Sequence, residues 1–170
     1  MPGREITRFD RELATLIDDM IETMDDAPGV GLAAQQVGVD LRVCVMRVDD
    51  RLYEVVNPVI AHRSGEEAAW EGCLSVPGFR AWRLRAEHAV MTGRDRNGRN
   101  VTVSGHGELA RAIQHEFDHL HGEIYIDGLP KDQEILTEDQ LDQRLREEAR
   151  ARRPKPGFRL RKVRLPGIDD

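Results

Sequence analysis

The chain has 170 residues, 33% of them charged and 39% hydrophobic, which suits one globular domain that buries a core without disulfide staples. It has no apolar run of membrane-span length and no basic-then-apolar signal pattern at its N-terminus, so we expect a cytoplasmic protein that does not enter a membrane. Its two cysteines, Cys44 and Cys73, are too few for a disulfide scaffold.

The net charge of −6 is unevenly distributed along the chain. Residues 144–164 carry a local charge of +8, which leaves −14 on the remainder. An acidic body with a basic C-terminal segment suggests an anionic partner for that segment, and nucleic acid is one candidate. A solvated terminus without a partner is the alternative, and charge alone does not decide between them.

Hydrophobic spacing predicts a first helix over residues 9–26, ended by Pro28 and Gly29. A glycine-bearing loop, Gly29 to Gly38, follows it. Short apolar runs then predict strands, and Asn97-Gly98 marks a turn before the last of them. The predicted strands cover residues 41–48, 52–60, 70–75, 87–92 and 100–104.

Two further helices are predicted in the second half of the chain. One spans about residues 107–121, and the other opens at the capping-box pattern Thr137-x-x-Gln140. Prolines 154 and 156 with glycine 157 end the last helix. The order of elements indicates a single-domain α+β fold, with mixed or antiparallel sheets packed around the second helix. We expect a catalytic domain over residues 1–136 and a basic helix and tail over 137–170.

The second helix carries the strongest chemical pattern, HEFDH at residues 115–119. Histidines four residues apart lie on one helix face, so His115 and His119 can reach one metal ion. Glu116 can accept a proton from a water held by that ion. Two histidines are too few for a tight site, which usually has three protein ligands. Incidental histidines on a surface helix are the alternative.

The third ligand decides the type of metal site. Long metalloprotease motifs add a histidine three residues after a glycine, but Gly122 is followed by no such residue. Upstream stands EGCLS at residues 71–75, where Cys73 offers a thiolate and a neighbouring glycine permits close approach. We therefore predict Cys73 as the third ligand. Cys44, within the apolar run LRVCVMRV, is interpreted as a buried small hydrophobe.

The loop sequence GVGLAAQQ (29–36) formally matches a dinucleotide-binding fingerprint. That fingerprint must follow a strand and open a helix, whereas this loop follows a helix and precedes a strand, so the interpretation is rejected. Two glycines can instead bring the backbone against an extended substrate. The side-chain amide of Gln36 can donate to a developing oxyanion.

Together the three stretches resemble the peptide deformylase family, whose motifs Gly-x-Gly-x-Ala-Ala-x-Gln, Glu-Gly-Cys-Leu-Ser and His-Glu-x-x-His occur here in the same order. The resemblance implies hydrolysis of the N-terminal formyl group of nascent peptides with release of formate. It also implies one divalent metal ion, most commonly Fe²⁺, with Zn²⁺, Ni²⁺ or Co²⁺ able to replace it.

The resemblance assigns roles to individual residues. The implied metal ligands are Cys73, His115 and His119. The implied catalytic groups are the general base Glu116 and two oxyanion donors, the side chain of Gln36 and the backbone N–H of Leu74. The expected substrate contacts are Val30, Gly31, Glu71, Gly72 and Glu108.

Two features depart from the family pattern. The chain begins almost at its first helix, where the family usually has a further segment; either the start is truncated or the segment has been lost, and we expect an effect on stability. Glu108 stands where an apolar residue usually lines the pocket for the methionine side chain. Our hypothesis is a more polar pocket; the alternative is an exposed ion pair with Arg111, three residues along the helix.

Three other function classes stay open. The missing third histidine and the EGCLS motif argue against a metalloprotease that cuts internal peptide bonds. A homologue that binds peptide N-termini with little turnover is compatible with Glu108. The third class is a nucleic-acid-binding module that uses the basic segment 144–164, but no base-reading motif supports it, and sequence-specific binding is not expected. In the family a C-terminal helix can dock on the ribosome, and residues 138–162 suit that role because Lys and Arg bind phosphate.

Overall fold

The structure is a computed structural model that describes residues 2–27 and 29–152. Among these residues, no helix is long and apolar enough to cross a membrane. The helices are α1 (Arg11–Asp25), α2 (Gly107–His119) and α3 (Glu138–Arg152). The strands are β1 (Gly31–Ala33), β2 (Val43–Val48), β3 (Arg51–Ser64), β4 (Glu67–Cys73), β5 (Val76–Arg85), β6 (His88–Arg94), β7 (Asn100–His106) and β8 (Ile135–Thr137).

The strands form two sheets, and every paired strand is antiparallel to its neighbour. The larger sheet has the order β1-β2-β3-β6-β7, and the smaller sheet has the order β4-β5-β8. The predicted α+β class is confirmed, and the sheets are antiparallel rather than mixed. Strand β1 lies at an edge of the larger sheet and β4 at an edge of the smaller one.

The larger sheet is covered by a helix on each face, because alternate residues of β2 point in opposite directions. Cys44 and Met46 join a core cluster with residues of α2, including Ile113. Val43 and Val45 join a second cluster with residues of α1. Cys44 is fully buried, and burial raises the pKa of its thiol, so the thiol stays protonated as a small hydrophobe.

Side chains cap the first turns of α1 and α3, and the sequence predicted the second of these caps. Asp10 accepts from the backbone N–H groups of the first turn of α1. The backbone N–H of Gln140 donates to the Thr137 hydroxyl, and the Thr137 N–H donates to the Gln140 side chain, which confirms the capping box of α3. The predicted end of α3, at residues 154–157, lies outside the described residues.

Strands β5 and β8 were missed by the sequence analysis. In β5 the usual pattern is inverted, since Arg85 faces inward and is 8% exposed whereas Leu84 faces outward and is 58% exposed. Trp82 also faces outward and meets Trp70 of β4 edge to face, with ring centroids 5.4 Å apart. A search for inward apolar residues that alternate with outward polar ones therefore does not detect this strand.

The C-terminal helix is attached to the smaller sheet. Strand β8 pairs with β5 immediately before α3 begins. Leu141 of α3 is buried, and the Arg144 guanidinium lies 5.8 Å from the centre of the Trp70 ring. The Arg80 guanidinium donates to Glu138 at 2.8 Å. A division of the chain at residue 136 stays a prediction, but contacts between the two sides of that division are extensive.

The first described residues are bound to the body of the domain. The Gly3 N–H donates to the Leu120 carbonyl. The Asn57 side chain accepts from the Ile6 N–H and donates to the Ile6 carbonyl at 2.9 and 2.7 Å.

Candidate metal centre

Helix α2 carries two histidines into the interior because its other face packs on the larger sheet. Ala110 and Ile113 on that face are completely buried. His115 and His119 lie one turn apart, and their Nε2 atoms are 3.2 Å apart. The predicted face of the helix is therefore confirmed, although regular helix ends at His119 rather than at residue 121.

Cys73, the last residue of β4, lies against the two histidines. Its Sγ is 3.2 Å from the Nε2 of His119, and one ligand atom from each of Cys73, His115 and His119 falls within 4.8 Å of the others. Burial opposes ionisation of the thiol, but hydrogen bonds from both histidines lower the pKa of Cys73 to about 5. A thiolate with two imidazoles is a donor set that fits Zn²⁺ or Fe²⁺.

Glu116 faces the same site from the interior of the protein. Burial raises the pKa of this carboxyl to about 7, against the opposing charges of the two histidines. Its Oε2 is buried and has no hydrogen-bond partner among the described residues. A carboxylate with a pKa near neutrality can take up and release a proton at physiological pH.

Gly31 makes room for Glu116. A Cβ added at Gly31 would lie 2.7 Å from Cδ and 2.9 Å from Cγ of Glu116, closer than real side chains come. Because Glu116 is enclosed, its carboxylate could avoid such a Cβ only by moving out of the site. The sequence analysis named Gly31 only as a substrate contact, and its space for Glu116 is a second role that a single sequence did not reveal.

Gln36 is held with its amide nitrogen toward the metal centre. The segment predicted as a loop contains β1 and a 3₁₀ turn, Ala34–Val37. The Gln36 Oε1 accepts from the Ala33 N–H at 2.8 Å, which fixes the orientation of the amide. Its Nε2 lies 3.5 Å from the Cys73 sulfur and 3.2 Å from the Ser75 hydroxyl.

Glu71, predicted as a substrate contact, uses its carboxylate to bind other side chains. It accepts hydrogen bonds from Nε and Nη2 of Arg85 at 2.8 and 2.9 Å and one from Arg111 at 2.6 Å. It also pairs with the Nδ1 of His115 at 3.2 Å. Burial opposes its ionisation, but the bonds from Arg85 and His115 lower the pKa of Glu71. Glu71 therefore orients the ring of His115, and its carboxylate is fully engaged with other side chains.

The alternative ion pair between Glu108 and Arg111 was wrong. Arg111 turns away from Glu108 to reach Glu71 and Glu67 on β4, because these carboxylates and nearby carbonyls satisfy its guanidinium where water is scarce. Glu108 remains exposed on the first turn of α2 and lines the same cavity as the metal centre.

A cavity of about 490 Å³ opens onto the three ligand residues. Its lining comes from residues 29–31 at the start of β1, from residues 70–80 of β4 and β5, and from residues of α2. The predicted contacts from the sequence all lie on this cavity: Val30, Gly31, Gln36, Glu71, Gly72, Leu74, Glu108 and Glu116. The sequence analysis missed Arg80 and Glu138, which pair at its rim.

A cluster of three residues able to hold a metal ion, beside a buried carboxylate with a pKa near 7 and open to a cavity, is the arrangement of metal-dependent hydrolases. The fold and the site together define that class of enzyme.

Comparison with known proteins gives the family. Residues 1–134 match the polypeptide deformylase family. A peptide deformylase of Acidothermus cellulolyticus is 47% identical over 136 residues, 80% of this chain and 76% of that protein. One of Dehalococcoides mccartyi is 41% identical over 150 residues, 85% of this chain and 90% of that protein. The chain belongs to the polypeptide deformylase family.

Solved structures of peptide deformylases share the fold. The Legionella pneumophila structure superposes with a TM-score of 0.74 at 37% identity, covering 91% of this chain and 92% of that one. The structure from Synechococcus elongatus, in complex with actinonin, gives a TM-score of 0.75 at 34% identity, covering 88% and 79%.

The contact between Gly31 and Glu116 gives a test of the site that leaves the ligands untouched. We expect Gly31→Ala to lower kcat about 100-fold, the usual order of cost when a catalytic group moves by an ångström, with metal content unchanged. Gly29→Ala is the matched control for a methyl group added to the cavity wall, because its Cβ would contact Leu74 at 3.2 Å rather than Glu116. Equal kcat values for the two variants would contradict this account of Gly31.

Proposed function

We infer that this chain hydrolyses the N-terminal formyl group of formyl-methionyl peptides and releases formate. The observation that carries the inference is the convergence of Cys73, His115 and His119 beside the enclosed carboxylate of Glu116, in a member of the deformylase family. Since formylated nascent peptides emerge from ribosomes, we place the reaction in the cytoplasm.

The peptide binds in extended form between the edges of β1 and β4. Both strands have one edge free of partners within their sheets, and both line the cavity. An extended peptide that adds to a strand edge gains backbone hydrogen bonds regardless of its sequence. Val30, Gly31 and Gly72 are the residues proposed to contribute them, which suits an enzyme that accepts many nascent chains.

The reaction adds water to the formyl carbon and breaks the carbon–nitrogen bond. One proton moves from the water to the departing amine, and Glu116, with its pKa near 7, is placed to carry it. A divalent ion held by Cys73, His115 and His119 supplies Lewis-acid polarisation when bound. We propose Fe²⁺ as that ion, with Zn²⁺, Ni²⁺ and Co²⁺ as substitutes for the same donors.

Two donors are proposed to stabilise the negative charge that develops on the formyl oxygen. The Gln36 Nε2 is fixed by the bond from Ala33 to its Oε1 and lies beside the Cys73 sulfur. The backbone N–H of Leu74 follows Cys73 directly, and Leu74 lines the cavity. Donors held in place before the reaction stabilise an oxyanion without the cost of reorganising solvent.

Formate release tests the reaction. With anaerobically purified protein and formyl-Met-Ala-Ser, we expect Glu116→Gln to reduce kcat by about 10²–10⁴-fold, the usual contribution of a general base. Metal should remain near one ion per chain, because Glu116 is not a ligand. Glu123→Gln, at an exposed position just after α2, is the matched control. A wild-type protein that holds metal but releases no formate would favour the binding-homologue alternative.

Glu108 is proposed to set the preference for the first side chain of the peptide. The first side chain lies next to α2, since the formyl group must reach His115 and His119 on that helix. Arg111 keeps its charged end on Glu71 and therefore offers the cavity its hydrocarbon stem. Glu108, exposed on the same wall, is then the polar element that a methionine side chain meets.

Substitution of Glu108 tests this preference. We expect Glu108→Leu to raise kcat/KM for formyl-Met-Ala-Ser by about 10-fold, or ~1.4 kcal/mol, because an apolar wall replaces a carboxylate that methionine must desolvate. Glu108→Gln separates charge from polarity and should give a smaller rise. Unchanged kinetics in both variants would exclude Glu108 from the side-chain pocket.

The basic segment 144–164 is proposed to bind ribosomal RNA through its Lys and Arg side chains. Its first part belongs to α3, and residues 153–164 lie outside the described residues. Six of its ten positive charges fall in that second part. Contacts between such side chains and phosphates release counterions, so binding should weaken steeply with salt.

Truncation of the C-terminal segment tests whether ribosome binding can be separated from hydrolysis. Deleting residues 153–170 preserves the contacts of Glu138, Leu141 and Arg144 with the catalytic body. We expect the truncated enzyme to retain kcat/KM on a short formyl peptide. Its salt-sensitive cosedimentation with ribosomes should be lost. Retention of that cosedimentation would refute the proposal, and replacement of the six basic residues by glutamine is the control for chain length.

A further inference from the structure

The three metal ligands belong to two parts of the fold that share little apolar packing. His115 and His119 lie on α2, which packs on the larger sheet, whereas Cys73 ends β4 of the smaller sheet. Among the described residues, neither core cluster contains a member of β4 or β5. The distance between Cys73 and the histidines therefore depends on something other than the hydrophobic core.

The joint between α2 and the smaller sheet is made by polar side chains. From the sheet, Arg85 binds Glu71 with two bonds and reaches Asp118 of α2 at 2.6 Å. Arg111 of α2 extends in the opposite direction, from the helix to the smaller sheet. Buried charges of this kind hold their partners firmly, because an unpaired partner would be left without water.

Arg111 contacts both strands that support Cys73. Its Nη1 donates to the Glu71 carboxylate at 2.6 Å and to the Arg83 carbonyl at 3.0 Å, and its Nη2 donates to the Glu67 carbonyl at 2.9 Å. These acceptors lie on β4 and on β5. Arg111 itself lies one helical turn before His115, so a single side chain links the backbone of the cysteine strand to the histidine helix.

We propose that Arg111 is a positioning residue that fixes Cys73 relative to His115 and His119. Its side chain is only 12% exposed, and its guanidinium points into the joint rather than toward substrate. The planar fork can satisfy three acceptors at once, which the single ammonium of a lysine cannot do in the same geometry. Without Arg111, β4 can shift against α2 and carry the thiolate away from the two imidazoles.

The proposal rests on the metal site of the proposed function, but its test needs no substrate. Apo enzyme is titrated with Co²⁺ in competition with a chelator, and the near-ultraviolet band from thiolate to cobalt reports a bond between Co²⁺ and Cys73. For Arg111→Met we expect Co²⁺ affinity to fall about 10–100-fold, the usual effect of losing support for a metal ligand. The charge-transfer band should weaken at saturating Co²⁺.

Two further variants complete the experiment. Arg111→Lys keeps the charge without the fork and should fall between Arg111→Met and wild type, with an apo form whose circular dichroism matches wild type. Arg96→Met removes a partly buried arginine with several carboxylate bonds, to Glu54 and Asp18 on the far side of the larger sheet, and should bind Co²⁺ normally. Wild-type affinity, or an intact charge-transfer band at saturation, in both Arg111 variants overturns the proposal.

Discussion

The candidate metal centre depends on the ion pairs made by the carboxylate of Glu71. A single buried negative charge is held by two guanidinium groups and is paired with a metal-ligand histidine. Isolated, it would be too costly to bury, and the arginines would be equally costly without it. Together they join α2, which packs on the larger sheet, to the smaller sheet, none of whose described residues belongs to either apolar core cluster. Because His115 contacts the same carboxylate, the joint between the two parts of the fold also orients this proposed metal ligand.

The cavity follows from that joint. With the smaller sheet held against α2, the edge strands β1 and β4 both contribute residues to the cavity that contains Cys73 and His115. In the proposed function, the strand edges bind the peptide backbone and Glu108 of α2 meets its first side chain. On that proposal, affinity for a peptide chain and preference for its first residue depend on different elements of the fold.

The sequence was sufficient for the elements whose signals are local. Helical periodicity located α1 and α2, the capping box located the start of α3, and the HEFDH spacing placed two ligands on one face. It was insufficient where tertiary contacts overrode local pattern. Strand β5 was missed because polar side chains occupy inward positions of the strand, with Arg85 bound to Glu71. The Glu108–Arg111 pair was offered as an alternative because spacing along a helix says nothing about acceptors on a neighbouring sheet.

The outward-facing tryptophan of β5 has a consequence for spectroscopy. The chain has two tryptophans, Trp70 and Trp82, and both lie on the smaller sheet in edge-to-face contact. Neither belongs to the two apolar cores of the larger sheet. Intrinsic fluorescence is therefore a local reporter of the sheet that carries Cys73. Far-ultraviolet circular dichroism averages over the whole molecule. If the two signals change at different points during unfolding, the smaller sheet separates from the larger sheet in a step of its own.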